Sequence, residues 1–340
     1  MRLLFIGFGT VGQGLAELLI EKENSLSEKY GVDINVIGIS DKIKGSVHNP
    51  QGINLKEVLE KLGSGGSLSE LPHIEYKGDA LDLIQDADAD VMLEATYTDI
   101  KTAEPATSHI KKAMEKGMHV ITTNKGPVAL YYQDLIKLAR KKGVKFLFEG
   151  TVMSGTPVLN LLRETLASST VKEIKGILNG TTNYILTRME EGLSYKEALK
   201  KAQELGYAEA VPDADVLGWD ALAKVTILAK VIFDAARKPF DYPCEGITGI
   251  TASAIADAKN RGKRFKLIGK VWREAPYIKA SVSPEEVDIN HPLAGVMGAT
   301  NAITITTDTL GDITVVGPGA GKKETGYSML IDLINICRNS

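Results

Sequence analysis

Between residues 206 and 225 the chain reads GYAEAVPDADVLGWDALAKV, which sets Glu209, Asp213, Asp215, Asp220 and Lys224 among alanines, valines, leucines and a tryptophan. Asp220 and Lys224 stand four residues apart, so on a helix they share a face. Leu217, Ile227, Leu228 and Val231 fall on that face too, while Thr226 and Lys230 lie roughly 120° or more away. The pattern predicts one long helix over 213–236, apolar nearly all round and therefore buried. Scarce water disfavours a charged amine and readies it to shed and regain a proton near neutrality. On the helix alone, a structural salt bridge explains the pair equally well, with Asp213 or Asp215 as a helix cap.

A second lysine shifts that balance. HVITTNKGPVA puts Lys125 just past the C-terminal end of an expected strand, with Pro127 opening a helix. Open α/β sheets bind ligands at such strand ends. In isolation Lys125 would read as an exposed loop lysine. In GILNGTTNYIL, residues 176–186, Asn179, Gly180 and Thr181 fall between a strand and a helix start. Backbone N–H groups there can hold a carboxylate. A type I′ hairpin turn is the alternative, but the helical spacing of Ile185, Leu186 and Met189 argues against a following strand. These parts suit one chemistry: hydride exchange at an oxygen-bearing carbon, an amine to move the proton, a second cation to polarise the oxygen, carboxylates for an ammonium group and N–H groups for a carboxylate.

The hydride partner comes from the N-terminus. IGFGTVGQG places Gly7, Gly9 and Gly12 in a G-x-G-x-x-G between the apolar run LLFIG and a helical pattern carrying Leu15, Leu18 and Leu19. One glycine makes the tight turn, one admits a pyrophosphate to the backbone, and one lets helix pack on strand. Alone the motif is weak. Here INVIGIS, DVMLEAT, HVITT and VKFLFE alternate with helical stretches over the first 150 residues. That rhythm predicts a Rossmann-type, doubly wound parallel sheet binding a dinucleotide. After GIS, Asp41 could accept from a ribose 2′-hydroxyl, favouring NAD, whereas Ser40, Lys42 and Lys44 could hold a 2′-phosphate, favouring NADP; all four also fit a solvated loop.

Past residue 150 the rhythm changes. VKEIKGIL, KLIGKVW, YIKASVS and AITITTDTLGDITVVG have strand character with antiparallel hairpins, interleaved with helices. An α+β catalytic domain over 151–309 is expected beside a dinucleotide-binding domain of 1–150 completed by 310–340. The 340 residues carry a net charge of −3, which lacks the basic footprint of a nucleic-acid binder. The two cysteines and five scattered histidines make no metal spacing and no disulfide scaffold, as in a reducing interior. No apolar run is long enough for a membrane span.

GFGTVGQG, TTNKGPVA, GTVMSGTPV, GILNGTTNYIL, GYAEAVPDADVLGWDALAK and HPLAGVMGATNAI together resemble homoserine dehydrogenase, from residue 3 to about residue 330. The 206–224 stretch is the most specific of these. The resemblance implies NAD(P)-dependent interconversion of L-homoserine and L-aspartate 4-semialdehyde in threonine, methionine and isoleucine biosynthesis. It implies a cytoplasmic homodimer with a small-molecule substrate, using NADP or NAD with NADP slightly favoured. Lys224 would exchange the proton, Lys125 would polarise the oxygen beside the cofactor, and Asp220 would orient Lys224 and meet the substrate hydroxyl. Glu209, Asp215 and Tyr207 would line the substrate site, with Gly180 and Thr181 facing its carboxylate. Phe8, Thr10, Val11, Thr96, Gly206 and Gly321 would join the three glycines around the dinucleotide. A monovalent cation, commonly sodium, would sit on main-chain oxygens of Glu149, Val152, Ser154 and Thr156. Met153, Val211 and Glu324-Thr325-Gly326 depart from the family pattern, but none touches the two lysines or Asp220. Another amino-acid dehydrogenase, such as one acting on aspartate, and a non-catalytic nucleotide sensor are the competing assignments.

Overall fold

The structure, a computed structural model, describes residues 1–72 and 74–338. It divides into one unit of Met1–Gly155 with Gly321–Ser340 and a second of Thr156–Ala320.

The first unit is built on β1 (Arg2–Ile6), β2 (Asn35–Asp41), β3 (Gly45–His48), β4 (Val91–Glu94), β5 (His119–Thr122) and β6 (Phe146–Leu147), in the order β3-β2-β1-β4-β5-β6. Helices α1 (Thr10–Tyr30), α2 (Leu55–Gly63), α3 (Ala80–Asp86), α4 (Ala106–Glu115) and α5 (Lys125–Lys142) connect the strands, and a C-terminal helix, Lys322–Arg338, completes the unit. Leu3, Leu4, Phe5 and Ile6 are buried, as continuous apolar runs must be when both sheet faces are covered. The strand order reverses between β1 and β4, where such sheets open a ligand crevice at their carboxyl ends.

Two details differ from the parallel sheet expected. β3 is an antiparallel edge strand, paired with β2 from Gly38↔His48 to Asp41↔Gly45 and too short to show a period. β6 keeps only two residues of VKFLFE, because the chain turns into a 3₁₀ segment at Glu149–Thr151. Gly14 and Gly326 let α1 and the C-terminal helix cross closely. A Cβ on Gly14 would lie 2.1 Å from the Lys322 carbonyl oxygen.

The second unit is a five-stranded antiparallel sheet of β7 (Val171–Ile177), β8 (Lys263–Glu274), β9 (Tyr277–Asp288), β10 (Thr300–Thr307) and β11 (Asp312–Pro318), ordered β11-β10-β7-β8-β9. It carries α6 (Gly180–Glu190), α7 (Tyr195–Glu204), α8 (Asp213–Val216), α9 (Trp219–Phe233) and α10 (Ala252–Asn260). β11 pairs with β10 over seven residues, so 312–318 stay with this sheet and the first unit resumes at Gly321, not at 310.

The helix expected over 213–236 is broken. Gly218 has φ +85°, a left-handed conformation that a helix cannot carry and that L side chains avoid. It separates the single turn α8 from α9. Leu217 is thereby left exposed outside the helix and does not share the buried face of Lys224. Asp213 is the first residue of α8 and caps nothing, the N-cap position being Pro212. α9 itself is buried from Ala221 to Lys230 and lies on β8 at Gly269, where a Cβ would come within 2.6 Å of Val225. No described helix is long and apolar enough to cross a membrane.

Candidate active site

Lys224 sits in the second unit among fixed partners. Its side chain is 8% exposed, and its Nζ donates to Asp220 Oδ2 at 2.7 Å and to the Leu178 carbonyl at 2.6 Å. Leu178 directly follows β7 and Asp220 lies in the first turn of α9, so strand end and helix start converge on one amine. Asn179 ties the group together. Its Nδ2 donates to Asp215 Oδ1 at 2.7 Å and to Asp220 Oδ2 at 3.0 Å, and its Oδ1 caps α6 by accepting from Thr182 N at 2.9 Å. Asp215, Asp220 and Lys224 are thus joined in one hydrogen-bonded cluster through Asn179. Burial, and then the charge of Asp220, push the Asp215 carboxyl above the usual carboxylate range, against the pull of Asn179, Lys224 and Thr181.

Gly180 and Thr181 open α6, where N–H groups precede the intrahelical ladder. A Cβ on Gly180 would lie 2.5 Å from the Ala299 carbonyl oxygen, so only glycine fits there. The Thr181 hydroxyl donates to the Tyr207 carbonyl, and the Tyr184 and Tyr207 rings lie 5.0 Å apart. Tyr207 and Glu209 lie on an exposed loop after α7 that begins at Gly206, φ +74°. The Glu209 carbonyl accepts from Gln203 Nε2.

In the first unit the three motif glycines divide their work visibly. A Cβ on Gly7 would lie 2.5 Å from the Ala95 carbonyl, and one on Gly12 would lie 2.8 Å from Gly7 O. Nothing stands within 4 Å of a Cβ on Gly9, so that glycine faces open space where a pyrophosphate would approach. Gly9 is the N-cap of α1 and carries no side-chain cap; Gln13 N–H is the first to bond back, to Gly9 O. The N–H groups of Thr10, Val11 and Gly12 therefore precede the ladder, as at an anion site. The Phe8 ring is buried against Phe5, so Phe8 can offer the cofactor backbone only.

Asp41 ends β2. Its Oδ2 accepts from Phe8 N at 2.9 Å, and its Oδ1 accepts from Ile43 N and Lys44 N at 3.0 and 3.1 Å. Burial opposes ionisation, but these three N–H groups and the Lys44 charge outweigh it and hold the carboxyl below its ordinary range. Ser40, proposed above as a phosphate ligand, is buried with its hydroxyl accepting from Ser46, because it lies inside the β2–β3 ladder. Lys42 is exposed. Lys125 is the first residue of α5, capped by Asn124, so the helix begins two residues before Pro127. Thr96 follows β4, and Gly321, φ +142°, immediately precedes the C-terminal helix.

These two halves match known proteins along nearly the whole chain. The profile described as homoserine dehydrogenase, NAD binding domain, matches residues 7–149, and the one described as homoserine dehydrogenase matches 157–334. An NAD(+)-dependent homoserine dehydrogenase of Pseudomonas canavaninivorans is 44% identical over 98% of this chain and 96% of its own. A homoserine dehydrogenase of Methanocaldococcus jannaschii is 40% identical over 99% and 98%.

The chain belongs to the homoserine dehydrogenase family.

A hyperthermophilic archaeal homoserine dehydrogenase in complex with NADPH superposes with a TM-score of 0.85 at 32% identity, covering 100% of this chain and 98% of that one. The fold is thus the family's, an NAD(P)-binding domain with a catalytic domain, and the chain is an NAD(P)-dependent oxidoreductase acting on a CH–OH group, a homoserine dehydrogenase. Met153, one of the residues noted as departing from the family pattern, precedes Ser154. Met153 and Ser154 both have positive φ, +58° and +55°, a left-handed conformation that glycine would carry without strain. Glu149 and Val152 are buried beside them, and Ser154 Oγ pairs with Thr325 Oγ1 at 2.7 Å. Thr156 lies in the second unit, its hydroxyl donating to the Pro318 carbonyl. Among the described residues no group of three or more His, Cys, Asp or Glu could hold a metal.

Two residues, and the side-chain role of a third, escaped sequence reasoning. Asn179 links both aspartates, and its place in the Asn-Gly-Thr turn was the available signal. Glu94 is fully buried at the end of β4. Lys266, on β8, is buried and donates to Asn183 Oδ1 at 2.9 Å and to the Val296 carbonyl at 2.5 Å; burial draws its pKa down to about 8, with Arg264 adding to the fall and Glu190 opposing it.

Proposed function

We propose that Lys224 moves the proton in homoserine oxidation. Its ε-amine takes the proton of the substrate's terminal hydroxyl as hydride leaves the carbon that bears it, and returns the proton in the reverse direction. Bound nicotinamide supplies the hydride acceptor. Lys125 polarises the reacting oxygen, and Asp220 holds Lys224 in place. Asp215 and Glu209 hold the substrate ammonium, Tyr207 packs beside them, and the N–H groups of Gly180 and Thr181 hold its carboxylate. The observation that carries this assignment is the Lys224 amine, out of bulk solvent and fixed between Asp220 and the Leu178 carbonyl.

The cofactor we propose is NAD, a change from the slight preference for NADP expected above. An ionised Asp41 at the end of β2 repels a 2′-phosphate, and Oδ2, with a single N–H donor, keeps a lone pair for a ribose hydroxyl. Gly7, Gly9, Gly12, Thr10, Val11, the Phe8 backbone, Thr96, Lys125, Gly206 and Gly321 complete that site. The carbonyls of Glu149, Val152, Ser154 and Thr156 are hard, neutral donors that suit a monovalent cation such as sodium. The edge strand β11, with Val316 exposed, supports pairing of the antiparallel sheets in a homodimer. Two unpaired thiols, Cys244 and Cys337, suit a reducing cytoplasm.

The test is homoserine oxidation with NAD⁺ and with NADP⁺, for the parent and for Lys224→Ala. The parent turns over and favours NAD⁺; the variant loses about 10²–10⁴-fold in kcat with its circular dichroism unchanged. A variant as active as the parent removes Lys224 from the reaction. Oxidation of aspartate in place of homoserine would favour the competing dehydrogenase.

A further inference from the structure

Glu94 is a carboxyl group with no exposed surface at the C-terminal end of β4, next to the point where the strand order reverses. Nothing in the hydride chemistry above uses it. Its Oε1 accepts from Thr96 N at 3.1 Å and from the Thr96 hydroxyl. Its Oε2 accepts from the Thr122 hydroxyl at 2.7 Å. The Thr122 oxygen accepts in turn from Asn124 N at 3.0 Å. Asn124 then turns both ways. Its Oδ1 accepts from Gly126 N at 3.1 Å and caps α5, and its Nδ2 donates to the Tyr97 carbonyl at 2.9 Å and the Thr96 carbonyl at 3.4 Å.

The bonds close a ring from Glu94 through Thr96, Asn124 and Thr122 back to Glu94. Glu94, Thr122 and Asn124 are all buried. Each hydroxyl proton points at the carboxyl group, so both threonines are held in one rotamer and one donor direction. The ring staples the segment after β4 to the first turn of α5, and the first residue of α5 is Lys125.

We infer that Glu94 is a positioning residue for the hydride-transfer step, fixing Thr96 and Lys125 relative to each other through Thr122 and Asn124. The inference rests on the assignment of Thr96 and Lys125 to the nicotinamide site. Burial raises the Glu94 pKa, and the hydrogen bonds from Thr96, Thr122 and Asn124 oppose that rise. A group held against its own desolvation in a satisfied network is one the fold would replace with an apolar side chain if only packing were at stake.

Thr122→Val keeps the shape and removes the hydroxyl that joins Glu94 to Asn124. We expect kcat for homoserine oxidation to fall about 10–100-fold, as for a small misplacement of a reacting group, with the homoserine KM and the NADH Kd changing far less. Thr122→Ser restores most of the rate. Glu94→Gln lowers kcat comparably, and the double variant Glu94→Gln/Thr122→Val is no worse than either single change, because one linkage is broken only once. Thr122→Val with the parent's kcat, or losses that multiply in the double variant, would overturn the inference. Should Thr122→Val not fold, Glu94→Gln decides alone: a parent-like kcat overturns the inference and a kcat-selective loss supports it. Lys125→Ala is measured alongside. A parent-like Lys125→Ala would indict the assignment of Lys125; an inactive Lys125→Ala beside a normal Thr122→Val indicts the ring.

Discussion

Replacing Asp215 with asparagine separates substrate binding from the rest of the chemistry. The side chain is kept in size and still meets Asn179, whose Nδ2 lies 2.7 Å from Oδ1. Only the charge is lost. If that charge pairs with the substrate ammonium, the loss is that of a charge-assisted hydrogen bond, about 1.5–3 kcal/mol, or roughly 10- to 150-fold in kcat/KM for homoserine. The loss appears chiefly in KM, and the cofactor KM stays near the parent's. Asp215 is held above the usual carboxylate range, so in the parent the homoserine KM rises as pH falls through that elevated value and the carboxylate takes up a proton. The variant lacks this limb. Stability moves in the opposite sense. A folded-state pKa above the unfolded one means that the native state binds the extra proton, so ionised Asp215 destabilises the fold at neutral pH. Asp215→Asn therefore melts higher than the parent at pH 7, and the gap closes on acidification. Steady-state kinetics from pH 5 to pH 9, with melting curves on the same samples, make the measurement. An unchanged homoserine KM, or an equal loss toward cofactor and homoserine, would refute the ammonium role of Asp215.

Three further outcomes follow from other parts of the molecule. Asp41→Asn raises kcat/KM with NADP⁺ and lowers it with NAD⁺, read from paired cofactor titrations; a change of the same sign with both cofactors contradicts the ribose assignment. Met153→Gly relieves a left-handed backbone worth about 1–2 kcal/mol but empties a fully buried site worth about 2–5 kcal/mol, so chemical denaturation finds a net destabilisation. Lys266 has a folded pKa of about 8, below its ordinary 10.5, so between those values the unfolded chain holds more protons and stability rises with pH; the parent gains about 3 kcal/mol on Lys266→Met across that window in denaturant titrations, and a loss would contradict it.

Much of this was legible before any coordinates. The glycine spacing, the alternation of apolar runs and helices, and the Asp220–Lys224 pair are local patterns, and local patterns survive folding. What escaped depends on long-range geometry. Gly218 breaks the helix because its left-handed φ sets α8 and α9 apart, and no periodicity reports that. Four-residue β3 is a strand because β2 offers it an edge. Ser40 reads as a phosphate ligand until its hydroxyl proves to be committed to Ser46 across the β2–β3 ladder. Glu94 looks like a polar end to an apolar strand; its meaning lies in Thr122, 28 residues later. The Leu178 carbonyl that holds Lys224 is invisible in principle, since every residue has one.

Chemical rescue tests the proton-transfer claim most directly. Lys224→Ala leaves a space between Asp220 and the Leu178 carbonyl that a small primary amine can enter. With saturating homoserine and nicotinamide cofactor, methylamine or ethylamine should restore turnover with saturation kinetics, while tetramethylammonium, a cation with no proton to exchange, should not. Equal rescue by tetramethylammonium, or a variant that needs no rescue, would contradict the role given to this amine.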